Sequence, residues 1–198
     1  MGLWGATDAD ESKPKNLTAA EKKEIFANTK GWVREAGSSA SGNDNTSADE
    51  EVLVAIGGLS SSLGAADITQ IELISTSFDK SAGGTLSARV RFNEPVNVVT
   101  TGGTPTLAMT NGNQGSGSGR GPHALAYASG TGTNELVFSL TIGAANAATN
   151  AGDILVIGAN AVALNSGTIK DVATSTTNAT ITHSSAIGTA AGSITVAA

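Results

Sequence analysis

Few residues in this chain could do chemistry, and the two histidines come first. His123 and His183 lie far apart, and neither sits at a spacing that makes a metal site, so both are expected at the surface or on a strand edge. Gly115-Ser-Gly-Ser-Gly119 has the letters of a nucleophile elbow, but it falls inside a low-complexity run instead of at a strand-to-helix turn. Asp49-Glu50-Glu51 reads as a solvated charge run, not a general acid and base set. Asn43 to Asp49 alternates oxygen-bearing side chains as a calcium loop does. The comparison with an EF-hand fails at the glycine position, held by Ala48, and at the closing glutamate, held by Val54. Cysteine is absent, which removes disulfides, zinc-thiolate sites and thiol nucleophiles. The sequons at Asn16, Asn45 and Asn178 are what an Asn/Thr-rich composition produces by chance. No catalytic residue, metal or cofactor is therefore expected, and binding is the chemistry that remains.

The residues best suited to binding cluster at one end. Both tryptophans and one of the four phenylalanines fall in the first 32 residues. Large aromatics bury much area and dominate interface energetics. Leu3, Trp4, Pro14, Leu17, Phe26 and Trp32 are accordingly the candidate anchoring residues. A second reading stands beside this one, in which the aromatics form a small satellite core with Val33 and Val52 to Ile56.

The elements that position these residues differ along the chain. Residues 1 to 15 mix apolar residues with turn formers and have no sustained period, which predicts an extended arm. Thr18-Ala-Ala-Glu21 is a capping box that starts a short helix over about 19–28, with Gly31 as its stop. A loop rich in Ser, Gly, Asn and Asp over 37–49 leads to a strand at about 52–56, and residues 57–66 form a second connector. From about residue 67 the pattern changes to period two. Leu86, Ala88, Val90 and Phe92 alternate with Ser87, Arg89 and Arg91, and Leu136, Phe138, Leu140 and Ile142 share one face of another strand. The turn-rich Ser129 to Asn134 supplies a hairpin connection between Tyr127 and Leu136. Pro95 has no amide hydrogen, so its strand must bulge, end or run along an edge there. Asn111 to Gly121 reads as a flexible hairpin tip. Further strands are expected at 71–76, 153–157, 162–164 and 179–183, which gives roughly seven, the count of an antiparallel β-sandwich. Three regions follow: 1–66, a sandwich over 67–184, and 185–198 as a tail or an extra strand pairing within the domain or with a neighbour.

The charge distribution supports this division. Residues 1 to 51 hold 10 of the 17 acidic and 6 of the 11 basic residues, and the remainder is sparsely charged and rich in Gly, Thr and Ala. The net charge of -6 argues against direct nucleic-acid binding, which needs a basic footprint. No run approaches the ~20 apolar residues of a membrane span. The start carries no recognisable secretory signal, and Ala6 stands where a myristoylation motif has Ser or Thr.

Phe92-x-Glu-Pro-Val, Gly103-Thr-Pro-Thr-Leu, Tyr127-x-Ser-Gly-x-Gly-Thr-Asn-x-Leu-x-Phe, Ala161-Val-x-Leu and Gly167-Thr-Ile-Lys-Asp171 occur in an order that resembles bacterial immunoglobulin-like repeats of large surface adhesins. The resemblance spans about residues 68 to 183 and implies an immunoglobulin-like antiparallel β-sandwich without catalysis. Those repeats continue after Lys-Asp with Gly-Asn, where this chain has Val-Ala-Thr-Ser. Leu3-Trp-Gly-x-x-Asp-Ala, Lys13-Pro-Lys, Gly31-Trp-Val and Glu51-x-Leu-Val-Ala55 are similar to the openings of small virion structural proteins of marine contractile-tailed phages, over about 60 residues. Together the two resemblances imply a capsid decoration protein. Its N-terminal region would bind the major capsid protein through the six candidate residues, with neighbouring copies as further partners. No nucleic acid or membrane contact is implied. The expected location is the capsid surface of a virion assembled in the host cytoplasm. A tail, neck or fibre-associated protein that contacts host glycans is the alternative, and a detached adhesin-type module of bacterial origin is the third reading.

Overall fold

The computed structural model describes residues 17–38, 44–55, 64–112, 123–145 and 149–198. Leu3, Trp4 and Pro14, and nearly all of the expected hairpin tip, lie outside them.

The N-terminal unit opens as its capping box dictates. Thr18 Oγ1 accepts from the Glu21 amide and the Glu21 carboxylate accepts from the Thr18 amide, starting α1 (Ala19–Glu24). The helix does not run to 28 as the spacing predicts. Ile25 is already extended, at φ -118° and ψ 121°, and Ile25–Asn28 form strand β1. A β-branched residue followed by an aromatic prefers a pleated, half-buried surface, and one is available. β1 pairs antiparallel with β2 (Gly31–Arg34) across the two-residue turn Thr29-Lys30, where Asn28 Oδ1 accepts from the Lys30 amide. Gly31 opens β2 at φ 121° instead of stopping a helix. β3 (Glu51–Ala55) completes the three-stranded sheet on the far side of β2. The register skips one residue between Trp32 and Val33, which places Leu53 as the extra residue of a bulge in β3. Leu53 and Val54 consequently both pack against the small core of Ile25, Ala27 and Trp32, joined by Leu17.

The remainder is mainly β and sandwich-like. After β4 (Ile68–Leu73) and β5 (Phe78–Asp79) comes β6 (Gly84–Val99), the longest strand, followed by β7 (Thr106–Gly112), β8 (His123–Ser129) and β9 (Thr133–Ile142). β10 (Ile154–Ala163), β11 (Thr168–Asp171), α2 (Ser185–Ala190) and β12 (Ser193–Ala197) follow. The strand order is β11-β6-β9-β8-β7-β10-β12-β5, and β4 also pairs with β6. β4 and β11 share one side of β6, β4 along its first half and β11 along its second. The break comes at the register shift between Arg91 and Val96, where the sequence has Pro95. All pairs are antiparallel except β12 with β5, whose parallel pairing brings the last strand beside an early one.

Alternation places the core. Leu86, Ala88, Val90 and Phe92 of β6 and Leu136, Phe138 and Ile142 of β9 are buried with Leu107, Met109, Leu125, Leu155 and Ile157 in one cluster. The hairpin between β8 and β9 sets Tyr127 opposite Phe138, their rings edge to face at 6.0 Å. Residues 153–157 and 162–164, expected as two strands, fall in the single strand β10, whose register shifts between Ile157 and Val162 with Asn160 at φ 50°. Residues 179–183 hold a single bridge, Thr180 with Asp67, and not a strand. The last residues provide the extra strand within the chain itself, and β12 adds Ile194 and Val196 to the sandwich core.

Candidate functional site

The N-terminal sheet meets the sandwich where β6 bulges. β1 packs against β6, and Asn134 Nδ2 donates to the Ile25 carbonyl at 3.4 Å. Near this junction the expected wet face of β6 is closed over at Arg91. Arg91 is only 3% exposed and Glu135 of β9 is also buried. Arg91 Nε donates to Glu135 Oε1, and its Nη1 reaches Gln70 Oε1 at 3.0 Å and Glu72 Oε2 at 3.2 Å. Arg89 lies 3.3 Å from both Glu72 and Glu135. Two arginines and two glutamates thus close a four-charge network on the outer face of β4, β6 and β9. Buried carboxylates tolerate such burial only when they are paired and hydrogen-bonded.

A partly open cleft of about 450 Å³ lies beside the network. Lys23, Phe26 and Glu35 of the N-terminal unit form one wall, and Pro95, Asn134 and Glu135 of the sandwich form the other. The turn between β8 and β9 makes its rim through Gly132 and Thr133. One backbone and one side-chain contact clamp that turn to β6: the Gly132 amide donates to Val96 O at 2.8 Å, and the Val98 amide to Thr131 Oγ1 at 2.8 Å. Thr131 N donates in turn to the Tyr127 hydroxyl at 3.0 Å.

The structure separates the candidate anchoring residues. Trp32 is 4% exposed and occupied in the small core, and Leu17 packs against the same core. Phe26, on the same strand as Ile25 and Ala27 but of opposite parity, is half-buried and lines the cleft. The satellite-core reading thus describes Trp32, and the anchoring reading keeps Phe26 as an accessible aromatic. β3 is the outer strand of its sheet, with Val52 at 44% exposure. The bulge at Leu53 interrupts its edge, a device that discourages strand addition.

Both histidines are buried, contrary to the surface placement expected from the sequence. His183, 7% exposed, accepts from the Ala161 amide through Nε2 at 3.0 Å, while Asn160 Oδ1 accepts from the His183 amide at 2.9 Å. It fastens the segment before α2 to the kink in β10. His123, 6% exposed, lies 3.0 Å from Thr149 Oγ1 through Nε2. Burial pushes its pKa below the ordinary 6.5, and the nearby Asp153 carboxylate opposes that shift. The folded chain therefore holds His123 neutral at a pH where the unfolded chain takes up a proton. Stability from this group is complete above about pH 7 and declines as the pH falls through 6.5 toward the lower folded value. Urea unfolding at pH 7.5 and 5.5 is expected to show that decline, with a smaller pH difference in His123→Gln.

Among the described residues no three His, Cys, Asp or Glu side chains gather as metal ligands, and no helix is long and apolar enough to cross a membrane. Comparison with protein-family models, with curated proteins and with solved structures found no match. Sequence reasoning missed Lys23, Glu35, Asn134 and Glu135 as a group. The available signal was Pro95: a break in the longest amphipathic strand exposes new backbone and side chains to whatever packs there.

Proposed function

We propose that this chain is a phage head decoration protein that binds the major capsid lattice through its N-terminal region and carries an immunoglobulin-like domain outward. Its role is binding and cementing, without catalysis. The observation that supports this most is how the cores divide. Among the described residues the sandwich core runs from Ala66 to Val196 and takes no member from the first 60 residues, which have a small core of their own. The sandwich core draws no apolar residue from the region that resembles virion protein openings, which suits a separate attachment role for that region. Side-chain anchoring by the Leu3-Trp4 pair suits the interface better than strand addition, because the edge of β3 is bulged. Repetition over a lattice multiplies a weak individual contact into firm attachment.

Stripping the protein from DNA-filled heads is expected to lower their resistance to heat and osmotic shock, with resistance returning when the purified chain is added back. Unchanged resistance would remove the cementing role. The alternative, a tail, neck or fibre-associated protein in contact with host glycans, is favoured by the mixed apolar and polar cleft at the junction.

A further inference from the structure

The junction cleft has the size and chemistry of a small-ligand site. Its volume of about 450 Å³ falls within the ordinary range for such sites, which recur where two packed units meet. Its charges decide what it accepts. The Glu135 carboxylate is neutralised by Arg89 and Arg91, whereas Lys23 and Glu35 make no ion pair with any described residue. Lys23 and Glu35 are of opposite sign, so the walls carry no net charge, and an ion of either sign meets one repelling group. Phe26 and Pro95 add two rings, half-buried and apolar. A neutral pyranose matches this set: its C–H face lies on rings, and its hydroxyls accept from ammonium and amide N–H groups and donate to carboxylate and amide oxygens.

We propose that the cleft between α1, β1 and the β8–β9 turn is a carbohydrate subsite that holds a neutral pyranose unit of a longer glycan. The cleft is partly open and offers few polar groups, so one copy binds at about millimolar Kd, and many copies on one particle bind by avidity. The inference holds wherever on a virion the chain is worn, so its failure leaves head placement untouched.

Saturation-transfer NMR on the full chain tests it, with millimolar trisaccharides built from glucose, mannose or galactose and with free amino acids as the zwitterionic control. Transfer to the ring C–H protons of at least one sugar is expected. It should fall at least fivefold in Phe26→Ala and in Lys23→Ala/Glu35→Ala, the second pair being exposed side chains whose removal spares both cores. Amide dispersion verifies folding of each variant. Absence of transfer from every sugar, transfer that survives either substitution in a folded protein, or preference for amino acids would overturn the proposal.

Discussion

Arg91→Met is expected to destabilise the fold by about 3 kcal/mol, from the loss of one partner of a buried ion pair. The side chain is nearly inaccessible and faces Glu135, Glu72 and Gln70. Its removal leaves the Glu135 carboxylate buried with Arg89 alone, 3.3 Å away. Glu72 is a third exposed, so water compensates it, and the loss concentrates on Glu135. Domains of this size are typically stable by about 5–15 kcal/mol, so the change is a large fraction of the whole. Arg91→Met/Glu135→Leu removes the stranded charge together with its partner and should recover most of the loss. Urea midpoints of the three proteins measure this. A single variant as stable as the parent would show that the network is dispensable.

Gly130→Ala is expected to cost roughly 3 kcal/mol, because strain and collision coincide there. Gly130 sits at φ 112°, and a Cβ built on it would lie 1.9 Å from the Glu135 carbonyl oxygen. To make room the β8–β9 turn must lift away from β9, loosening the clamp on β6 and the rim of the cleft. Gly132, two residues on, provides the control. It also has positive φ, 84°, but the nearest atom to its Cβ is 4.0 Å away, so Gly132→Ala should cost only about 1 kcal/mol. Thermal or urea unfolding of the pair separates collision from strain.

These two positions illustrate what the sequence discloses about the fold. The period of two in β6 and β9, the Gly-rich turn between them and the proline break are local patterns, and they name the sandwich strands directly. The end of α1 was illegible for a physical reason: Ile25 and Phe26 suit a helix edge as well as a strand, and pairing with Gly31–Arg34, a tertiary fact, decides. Burial of Arg91 and Glu135 was hidden in the same way. Alternation assigns them to the outer face of the sheet, but not what covers that face. The histidines misled because a buried imidazole is tolerated once it finds a hydrogen-bond partner, Thr149 for His123 and the Ala161 amide for His183, and spacing carries no trace of those partners. Of the candidate anchoring residues, composition found the aromatic-rich end, while only the parity of β1 distinguishes the half-buried Phe26 from the core-facing Ile25 and Ala27.

The central claim is a division of labour: the N-terminal region attaches, and the sandwich is displayed. Reconstruction of virions by electron microscopy, with gold-labelled antibody to the sandwich as a marker, tests it most directly. Sandwich-shaped density is expected to project from the head lattice at regular sites, with the three-stranded N-terminal unit between it and the capsid protein. Density and label confined to the tail or neck, or absent from particles altogether, would contradict the account.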